Sequence, residues 1–553
     1  MKDKNLILWL YYFGIGLMLI SLPFSNYFMS ISQFTLSGTL VLDGMSKADV
    51  TRFFKRYSPA VIALLFVPYG LMWVFQAIGR KLKEFFRAEN APAWVFASIY
   101  LMHLLGLFFT SDFNYALKDL RIKLPILILP FILSTTCLVD RRSFRVFMYL
   151  FIAAVFTGTM ISTFVAFSRE LTDSRETSLF ISHIRFSMLI DIAIFAVAYL
   201  VLKKSDISRW IRIILVAAGL WMIAFLFMFA YMTGLVIFII VASLMLIYTA
   251  MARGRLIVKL AVATGIILIL SIVAFYIRDI GRDVNRVHPT DLTSLDKTTK
   301  QGNFYWHDTL NLQVENGHYV WLYIAMDEMA EAWNERSTYH FEGKDKAGQE
   351  IKYTLIRFLA SKGYRKDAEG VARLTDAEVA MVEDGIASMV YVEKPVLYVR
   401  IYKIFWEYNR YRVTRNPSGH SVMQRIEYWR TSVALIRDHW LTGVGTGDIE
   451  NAFQEKYDEM GSLLSQEYRW RAHNQFLAVF VMFGVFGLAW FLFSLFYPAA
   501  RLVKFHDYYY LTFFIIIILS MLTEDTLETQ AGVTQFAFFS SWYLFAKKFI
   551  DIV

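Results

Sequence analysis

Twelve apolar stretches, each near the length of a membrane-spanning helix, dominate this chain of 553 residues. They lie at residues 5–24, 58–78, 93–111, 122–138, 146–167, 181–201, 211–229, 232–250, 257–277, 472–497, 508–522 and 531–549. Hydrophobic residues make up 57% of the sequence and charged residues only 19%, so a soluble core would be too small to hold the apolar side chains. We therefore predict an all-α polytopic membrane protein with about twelve transmembrane helices.

Short basic runs between these stretches predict which loops face the cytoplasm. The runs are Arg80 to Lys83, Arg141-Arg142, Lys203-Lys204, Arg253 to Arg255, Arg501 to Lys504 and Lys547-Lys548. All of them fall inside if the polar-interrupted segment 29–44 rests on the surface or re-enters, whereas a thirteenth span would move them all outside. The formal net charge of +9 thus reflects topology, and we expect no nucleic-acid partner.

The first apolar stretch follows Lys2 and Lys4 and lacks a small-x-small cleavage site, so we expect an uncleaved helix with its lysines in the cytoplasm. We predict a membrane domain at 1–277 with about nine spans, an extracytoplasmic subdomain at 278–471, and three final spans at 472–553. The subdomain is expected to be mostly helical, with an interfacial helix near Tyr398 to Tyr411. The single cysteine, Cys137, excludes an intrachain disulfide and a cysteine-based metal site.

One polar stripe opens the sixth stretch at its outer end. His183, Ser187 and Asp191 are spaced four residues apart and share a helix face that should point into the bundle. Hydrogen bonding between helices and a catalytic role are both compatible with this stripe. Arg185, beside it, is a bidentate donor that suits a phosphate group.

A second polar group precedes the tenth stretch, within Gln424 to Arg430. Its helix carries an apolar stripe, which predicts that it lies against another surface. Arg425 is compatible with a solvated charge or with an anion contact. The glycine run Gly443 to Asp448 has no strand before it, so a tight turn is favoured over a nucleotide loop.

The third group surrounds His473, where the polar segment gives way to an apolar helix. An imidazole at that boundary can exchange protons with water beside a lipid-borne substrate, or can simply bond to a nearby loop. On the same outer side, Glu524 and Glu528 are one helical turn apart and can orient a histidine or cap a helix.

Taken in order, these runs resemble the O-antigen ligase family, whose superfamily also contains O-antigen polymerases. The supporting runs are Ser182 to Ser187, Thr233-Gly234-Leu235, Asn416 to Ser421, Gln424-Arg425 with Trp429, Gly443 to Asp448, His473 to Leu477 and Glu524 to Gly532. The resemblance extends from about the third span to the C-terminus and rests on the order and spacing of short motifs.

The resemblance implies a bacterial inner-membrane glycosyltransferase similar to the GT-C fold, with its active site facing the periplasm and no metal or cofactor. It would move a glycan, with inversion, from a polyprenyl-pyrophosphate carrier to a sugar hydroxyl of the lipid A core. His473 matches the family's essential histidine, and Arg185 and Arg425 match arginines that grip the pyrophosphate. The possible supporting residues are His183, Asp191, Arg471, Asn474, Glu524 and Glu528.

Several alternatives stay open from the sequence. His473 can instead be protonated and bind phosphate, with Glu528 or Asp191 as the base. Tyr231-Met232 replaces the family's Ser-Arg, so a third phosphate-gripping arginine would have to be Arg471 or Arg121. A polymerase and a protein-glycosylating ligase share the same motifs. A lipid-linked-sugar transporter would also need many helices, but we find no internal repeat and the large outer segment lies on one side.

Overall fold

The computed structural model describes residues 2–136, 139–168, 177–203, 207–547 and 549–551, and Cys137 lies outside these ranges. Before the long outer loop, the described helices are α1 (Lys2–Ser21), α2 (Asn26–Gly44), α3 (Lys47–Arg56), α4 (Pro59–Phe85), α5 (Ala91–Leu105), α6 (Phe113–Lys123), α7 (Pro125–Thr135), α8 (Arg141–Ser168), α9 (His183–Lys203), α10 (Arg209–Met228), α11 (Met232–Arg253) and α12 (Leu256–Asn285).

The outer loop contains a short hairpin followed by helices. Its elements are β1 (Val314–Glu315), β2 (His318–Tyr319), α13 (Met326–Asn334), α14 (Ile351–Ser361), α15 (Ala368–Ala372), α16 (Asp376–Glu383), α17 (Val390–Glu393), α18 (Val396–Thr414), α19 (Ser421–Asp438) and α20 (Ile449–Glu459). The chain then re-enters the bundle as α21 (Gln475–Arg501), α22 (Tyr508–Met521) and α23 (Gln530–Ser541), the last extended by a π-turn at Trp542–Ala546.

Seven helices of the described chain are long and apolar enough to cross a membrane. They are Ala88–Phe109, Arg141–Ser168, His183–Lys203, Arg209–Met228, Met232–Ala252, Leu256–Asn285 and Gln475–Arg501. Shorter apolar helices lie at Leu6–Ser21 and Tyr508–Met521. Each coincides with a predicted stretch, so this chain forms a mostly helical membrane protein.

Segment 29–44, expected to be a surface or re-entrant helix, is part of α2, which runs antiparallel to α1. A side chain at Gly14 would meet Leu36, and the Ser32 hydroxyl lies 3.4 Å from the sulfur of Met18. At 19 residues, α2 is roughly 28 Å long. Its hydroxyls bond to carbonyls three or four residues back, as Thr39 does, and this removes their need for water.

The predicted stretch 58–78 lies in α4, whose last turns contact the end of α2. Lys81 Nζ donates to Asp43 Oδ2 at 2.5 Å, and Arg80 Nε donates to the Gly44 carbonyl at 2.7 Å. Only the ten residues of α3 and two short turns separate the helices, and roughly 15 Å of helix does not cross a bilayer core.

The helices at the predicted stretch 122–138 begin earlier in the chain than the apolar pattern does. In the structure α6 leads into α7 after a bend at Leu124, so the helical pair begins at Phe113. Four charged residues of α6 interrupt the apolar pattern, but Asp119 and Lys123 are buried as an ion pair. These two charges are partnered away from water, whereas Lys118 and Arg121 of the same helix are exposed.

The outer subdomain has its own apolar core around Trp333, Leu355 and Val382, all fully buried. Residues 286–325 contain the hairpin and no described helix, so the expectation of a mostly helical subdomain holds only for 326–471. The helix expected near Tyr398 to Tyr411 is α18, which docks on the outer end of α12, where the Tyr398 hydroxyl donates to Asp283 at 2.7 Å. The subdomain is thereby fixed to the bundle.

The glycine run joins α19 and α20 to a kink in α21, as a tight turn should. Val444 N–H donates to the Val481 carbonyl at 2.9 Å. Gly443 has φ +71°, and a Cβ there would lie 2.3 Å from the Met482 backbone, so only glycine fits. Gly484 breaks α21 at the same level with φ +63°. This contact sets the position of α19 above the helix that follows His473.

The opposite end of the bundle is closed by buried charges that we call the Lys547 cluster: Lys504, Asp507, Lys547 and Asp551. Lys547 Nζ lies 2.6 Å from Asp507 and 2.9 Å from Asp551. Lys504 Nζ donates to the Lys547 carbonyl at 2.7 Å. Lys504 and Lys547, one from each of the last two predicted basic runs, therefore lie together here.

Candidate active site

Three side chains from distant parts of the chain meet around the carboxylate of Glu524. Together with Glu524 they form what we call the Glu524 cluster. Glu524 follows α22 and is buried. Arg425 Nη2 of α19 donates to its Oε1 at 2.5 Å. Arg185 Nη1 of α9 lies 3.7 Å from its Oε2, and His473 Nδ1 lies 3.5 Å from the same oxygen. The three residues that the sequence nominated for chemistry thus share one partner.

The backbone at His473 is shaped by its neighbours. Asp525 accepts the N–H groups of His473 at 3.2 Å and of Asn474 at 2.8 Å. The Asn474 side chain caps α21 by accepting from Phe476 N and Leu477 N. His473 itself has φ 44°, a left-handed conformation that a non-glycine residue adopts only where its surroundings enforce it. Asn474, a predicted supporting residue, therefore positions the histidine through the chain.

The imidazole of His473 is fixed on one side and open on another. The Tyr428 ring stacks on the imidazole, with ring centroids 5.3 Å apart. The His473 side chain is one-third exposed. Because Nδ1 faces Glu524, Nε2 is the nitrogen left for a substrate. A carboxylate at Nδ1 favours the tautomer in which Nε2 is a proton acceptor.

Both arginines have hydrogen-bonding capacity to spare. Arg185 also donates through Nη2 to the Asp525 carbonyl at 3.2 Å. The Nε groups of Arg185 and Arg425 are buried, and neither has a hydrogen-bond partner among the described residues. Two guanidinium groups share a single Glu524 carboxylate, so the cluster has an excess of positive charge. Unpaired buried donors with that excess suit a second anion.

The carboxylates of this turn have pKa values moved in opposite directions. Burial by itself would raise the pKa of Glu524, but His473, Arg425 and Arg185 outweigh it, so that this pKa lies below the ordinary value. Burial raises the pKa of Asp525, and Arg471 and His473 offset that effect only in part. Glu524 is therefore an ionised partner of the cations at neutral pH and a poor proton acceptor.

A second set of charges, which we call the Glu528 network, lies one turn further on. Arg471 Nη1 and Lys123 Nζ lie 3.1 and 2.9 Å from Glu528 Oε2. The network also contains Tyr115, Asp119 and His103. Sequence reasoning missed these three residues and Lys123. The available signal was the four-residue spacing of Asp119 and Lys123, which places opposite charges on one helix face.

Three candidates are not part of the Glu524 cluster. Asp191 is fully buried, neither carboxylate oxygen has a hydrogen-bond partner among the described residues, and no described contact joins it to His473. The His183 ring packs against Tyr231, with centroids 5.8 Å apart. Arg121 is exposed on α6, whereas Arg471 is held in the Glu528 network. Of the two substitutes considered for a third arginine, only Arg471 is near the site.

The apolar stripe predicted for α19 is only partly buried. Ile426, Trp429 and Val433 of this stripe are 39%, 37% and 42% exposed, whereas Ile436 of the same stripe packs against the main core. Tyr428 is buried and, like Arg425, is turned toward the site. Leu435 is also buried in the main core, so apolar packing and polar contacts together attach this helix to the bundle.

Residues 385–492 match the family model described as O-antigen ligase. This region of the chain is similar to the O-antigen ligase family. Its members are glycosyltransferase-like enzymes of lipopolysaccharide biosynthesis, which act in general on lipid-linked glycans and the lipid A core. No curated protein matches the chain.

The O-antigen ligase region supplies only part of the site. It contains Arg425, Arg471, His473 and Asn474. Arg185, Asp191, Glu524 and Glu528 lie outside the matched residues. The Glu524 cluster is thus completed by helices before and after the O-antigen ligase region.

Proposed function

We propose that the chain is an O-antigen ligase that transfers a glycan from a polyprenyl-pyrophosphate carrier to a sugar hydroxyl of the lipid A core. In this proposal it spans the inner membrane about twelve times in a GT-C-like frame, with the Glu524 cluster facing the periplasm. The observation that carries the proposal is the meeting of Arg185, Arg425 and His473 around Glu524, with open donors on both arginines.

The arginines would bind the pyrophosphate. As the glycosidic bond breaks, its electron pair goes to the leaving phosphate oxygen, where negative charge grows. Fixed guanidinium groups stabilise that charge because they are already oriented and need no reorganisation. The unpaired Nε groups of Arg185 and Arg425 are the donors available without breaking their contacts with Glu524.

His473 would act as the general base. Its Nε2 takes the proton from the acceptor hydroxyl while the hydroxyl oxygen forms a bond to the anomeric carbon from the side opposite the leaving group, which inverts the configuration. Glu524, 3.5 Å from Nδ1, holds the tautomer and stabilises the imidazolium that results. Glu524 is thus a positioning residue for His473.

The competing bases are less suited by their surroundings. Glu528 is engaged by Arg471 and Lys123 and does not contact His473 among the described residues. Asp191 has no described contact with the cluster. These contacts support the hypothesis that His473 receives the proton.

Purified protein, mixed in detergent with a polyprenyl-pyrophosphate glycan and lipid A core, tests the proposal. We expect glycan attached to the core and release of polyprenyl pyrophosphate. Longer glycan on the carrier would identify a polymerase instead, and glycan on protein would identify a protein-glycosylating ligase. If no glycosidic bond changes while the lipid-linked glycan moves across vesicle membranes, the protein is a transporter.

A further inference from the structure

A cavity of about 200 Å³ lies behind the His473 segment, between α6, α20 and the residues that precede α21. Tyr115 of α6, Phe453 and Gln454 of α20, and Trp470 contribute to its walls. Arg471 and Glu528 line it as well, whereas His473 does not. The cavity therefore adjoins the Glu528 network and not the carboxylate that the two arginines share.

The polar atoms of this lining include acceptors without donors. Gln454 Nε2 donates to the Arg469 carbonyl at 2.9 Å, but its Oε1 is buried and has no partner among the described residues. Glu528 Oε1 is likewise buried without a hydrogen-bond partner, although Oε2 contacts Arg471 and Lys123. A buried acceptor left unpaired costs free energy, so both oxygens suit a ligand that brings hydroxyl or amide donors.

The charges in the lining do not suit a pyrophosphate. Three cationic side chains face three acidic ones, in the set Lys118, Arg469, Arg471, Asp119, Glu450 and Glu528. Arg469 is engaged by Asp458 at 2.6 Å, and Arg471 by Glu528. Three aromatic rings, those of Tyr115, Phe453 and Trp470, supply apolar faces beside the unpaired acceptors. Aromatic faces and acceptor oxygens together match a neutral sugar ring, which has apolar C–H faces and hydroxyl donors.

We propose that this cavity binds a sugar ring of the acceptor, an inference that rests on the proposed transfer reaction. Arg471 points to Glu528 on the cavity side, while His473, two residues later, points to Glu524. The two side chains thus separate the cavity from the arginine pair. In an inverting transfer the attacking hydroxyl and the leaving group approach the anomeric carbon from opposite sides, so the acceptor belongs on the side away from the arginines.

Binding to purified full-length protein in detergent tests the cavity without requiring catalysis. The probe is lipid A core oligosaccharide with its acyl chains removed, titrated by calorimetry. We expect Trp470→Ala to raise Kd about tenfold, roughly 1.4 kcal/mol, and Trp470→Phe to restore most of the affinity. Trp470 is 59% exposed, and its main-chain carbonyl, which accepts from Tyr457, is retained in both variants.

Trp440→Ala is the matched control, because Trp440 is 56% exposed and does not line the cavity. Gln454→Leu should also weaken binding, by about threefold, since it removes an unpaired acceptor. Unchanged affinity in both Trp470→Ala and Gln454→Leu, or equal losses in Trp440→Ala, would overturn the proposal.

Steady-state kinetics distinguish the two sources of a sugar ring. We expect Trp470→Ala to raise the KM for the lipid A core and to leave the KM for the lipid-linked donor unchanged. The reverse pattern would place the donor sugar in the cavity and contradict the acceptor assignment. If the wild-type protein binds the core oligosaccharide through Trp470 but transfers no glycan, the proposed function fails while the cavity assignment stands.

Discussion

Two charged clusters lie at opposite ends of α22, and they differ in how completely their charged groups are paired. In the Lys547 cluster, the side chains of Lys547, Asp507 and Asp551 are nearly or fully buried and contact one another. Lys504 is satisfied by a main-chain carbonyl, and burial lowers its pKa to about 8. Among the described residues, the charges of the Lys547 cluster are held by one another or by the main chain.

The Glu524 cluster also combines cations with a buried carboxylate, but its pairing is incomplete. Two arginine Nε groups have no partner among the described residues, and His473 is one-third exposed beside them. The comparison indicates that buried charge alone does not mark an active site. Unused hydrogen-bonding capacity together with access does, because a ligand gains most where donors are desolvated and unpaired.

Of all the variants at the two clusters, those that remove the His473 imidazole should have the largest effect on the rate of glycan transfer. His473→Ala should lower the rate of glycan transfer about 10²- to 10⁴-fold, the usual contribution of a general base. His473→Asn serves as a second variant, because asparagine tolerates the left-handed backbone found there. Transfer is measured with purified protein, and the thermal midpoint of each variant checks folding.

His439→Ala is the matched control, since His439 is exposed and outside the cluster. Near-normal transfer by either His473 variant would rule out the base assignment and would remove the functional contrast between the two clusters.

Removal of the Lys547 side-chain charge should have a large effect on the free energy of unfolding and none on the rate of glycan transfer. Lys547→Met leaves Asp507 and Asp551 buried without their cation, which we expect to cost about 3–5 kcal/mol in free energy of unfolding. The transfer rate per folded molecule should not change. Thermal unfolding in detergent measures the first quantity, with the exposed Arg501→Met as control. A folded Lys547→Met protein with wild-type stability would contradict a structural role.

Lysine in place of either arginine tests how the anion is held. Arg425→Lys and Arg185→Lys keep the charge but lose the fork of donors, so the KM for the lipid-linked donor should rise about tenfold, or roughly 1.4 kcal/mol. Arg430→Lys is the control on the same helix, where the side chain is 60% exposed. Full activity in both lysine variants would argue against a pyrophosphate clamp.

The smallest effect concerns the pH dependence of stability. Because the pKa of Glu524 is lower in the folded protein than its ordinary 4.5, its ionised form stabilises the fold above that pH. We expect Glu524→Gln to lose roughly 1–2 kcal/mol at pH 7. The gap from wild type should close as pH falls below 4.5 and through the folded-state pKa. A gap that stays constant from pH 7 to pH 3, measured beside the exposed Glu455→Gln, would contradict this charge assignment.

Much of the helical fold follows from the local hydrophobic pattern. The contacts of the polar residues do not. The apolar stretches located α8 to α12, α21 and α22 because continuous hydrophobicity is a local property. The partners of the polar residues of α2 and of the charges of α6 cannot be read from the local sequence. The hydroxyls of α2 bond within the helix, and Lys123 pairs with Glu528, 405 residues away.

The sequence by itself determined the helical membrane class, the basic loops and the nomination of His473, Arg185 and Arg425. Only the tertiary structure decided that Glu524, and neither Glu528 nor Asp191, is the carboxylate these three share. It also decided that a cavity lined by unpaired acceptors lies on the other side of the His473 segment. The physical reason is that composition and periodicity act over a few residues, whereas the pairing of buried charges depends on packing between helices that are hundreds of residues apart.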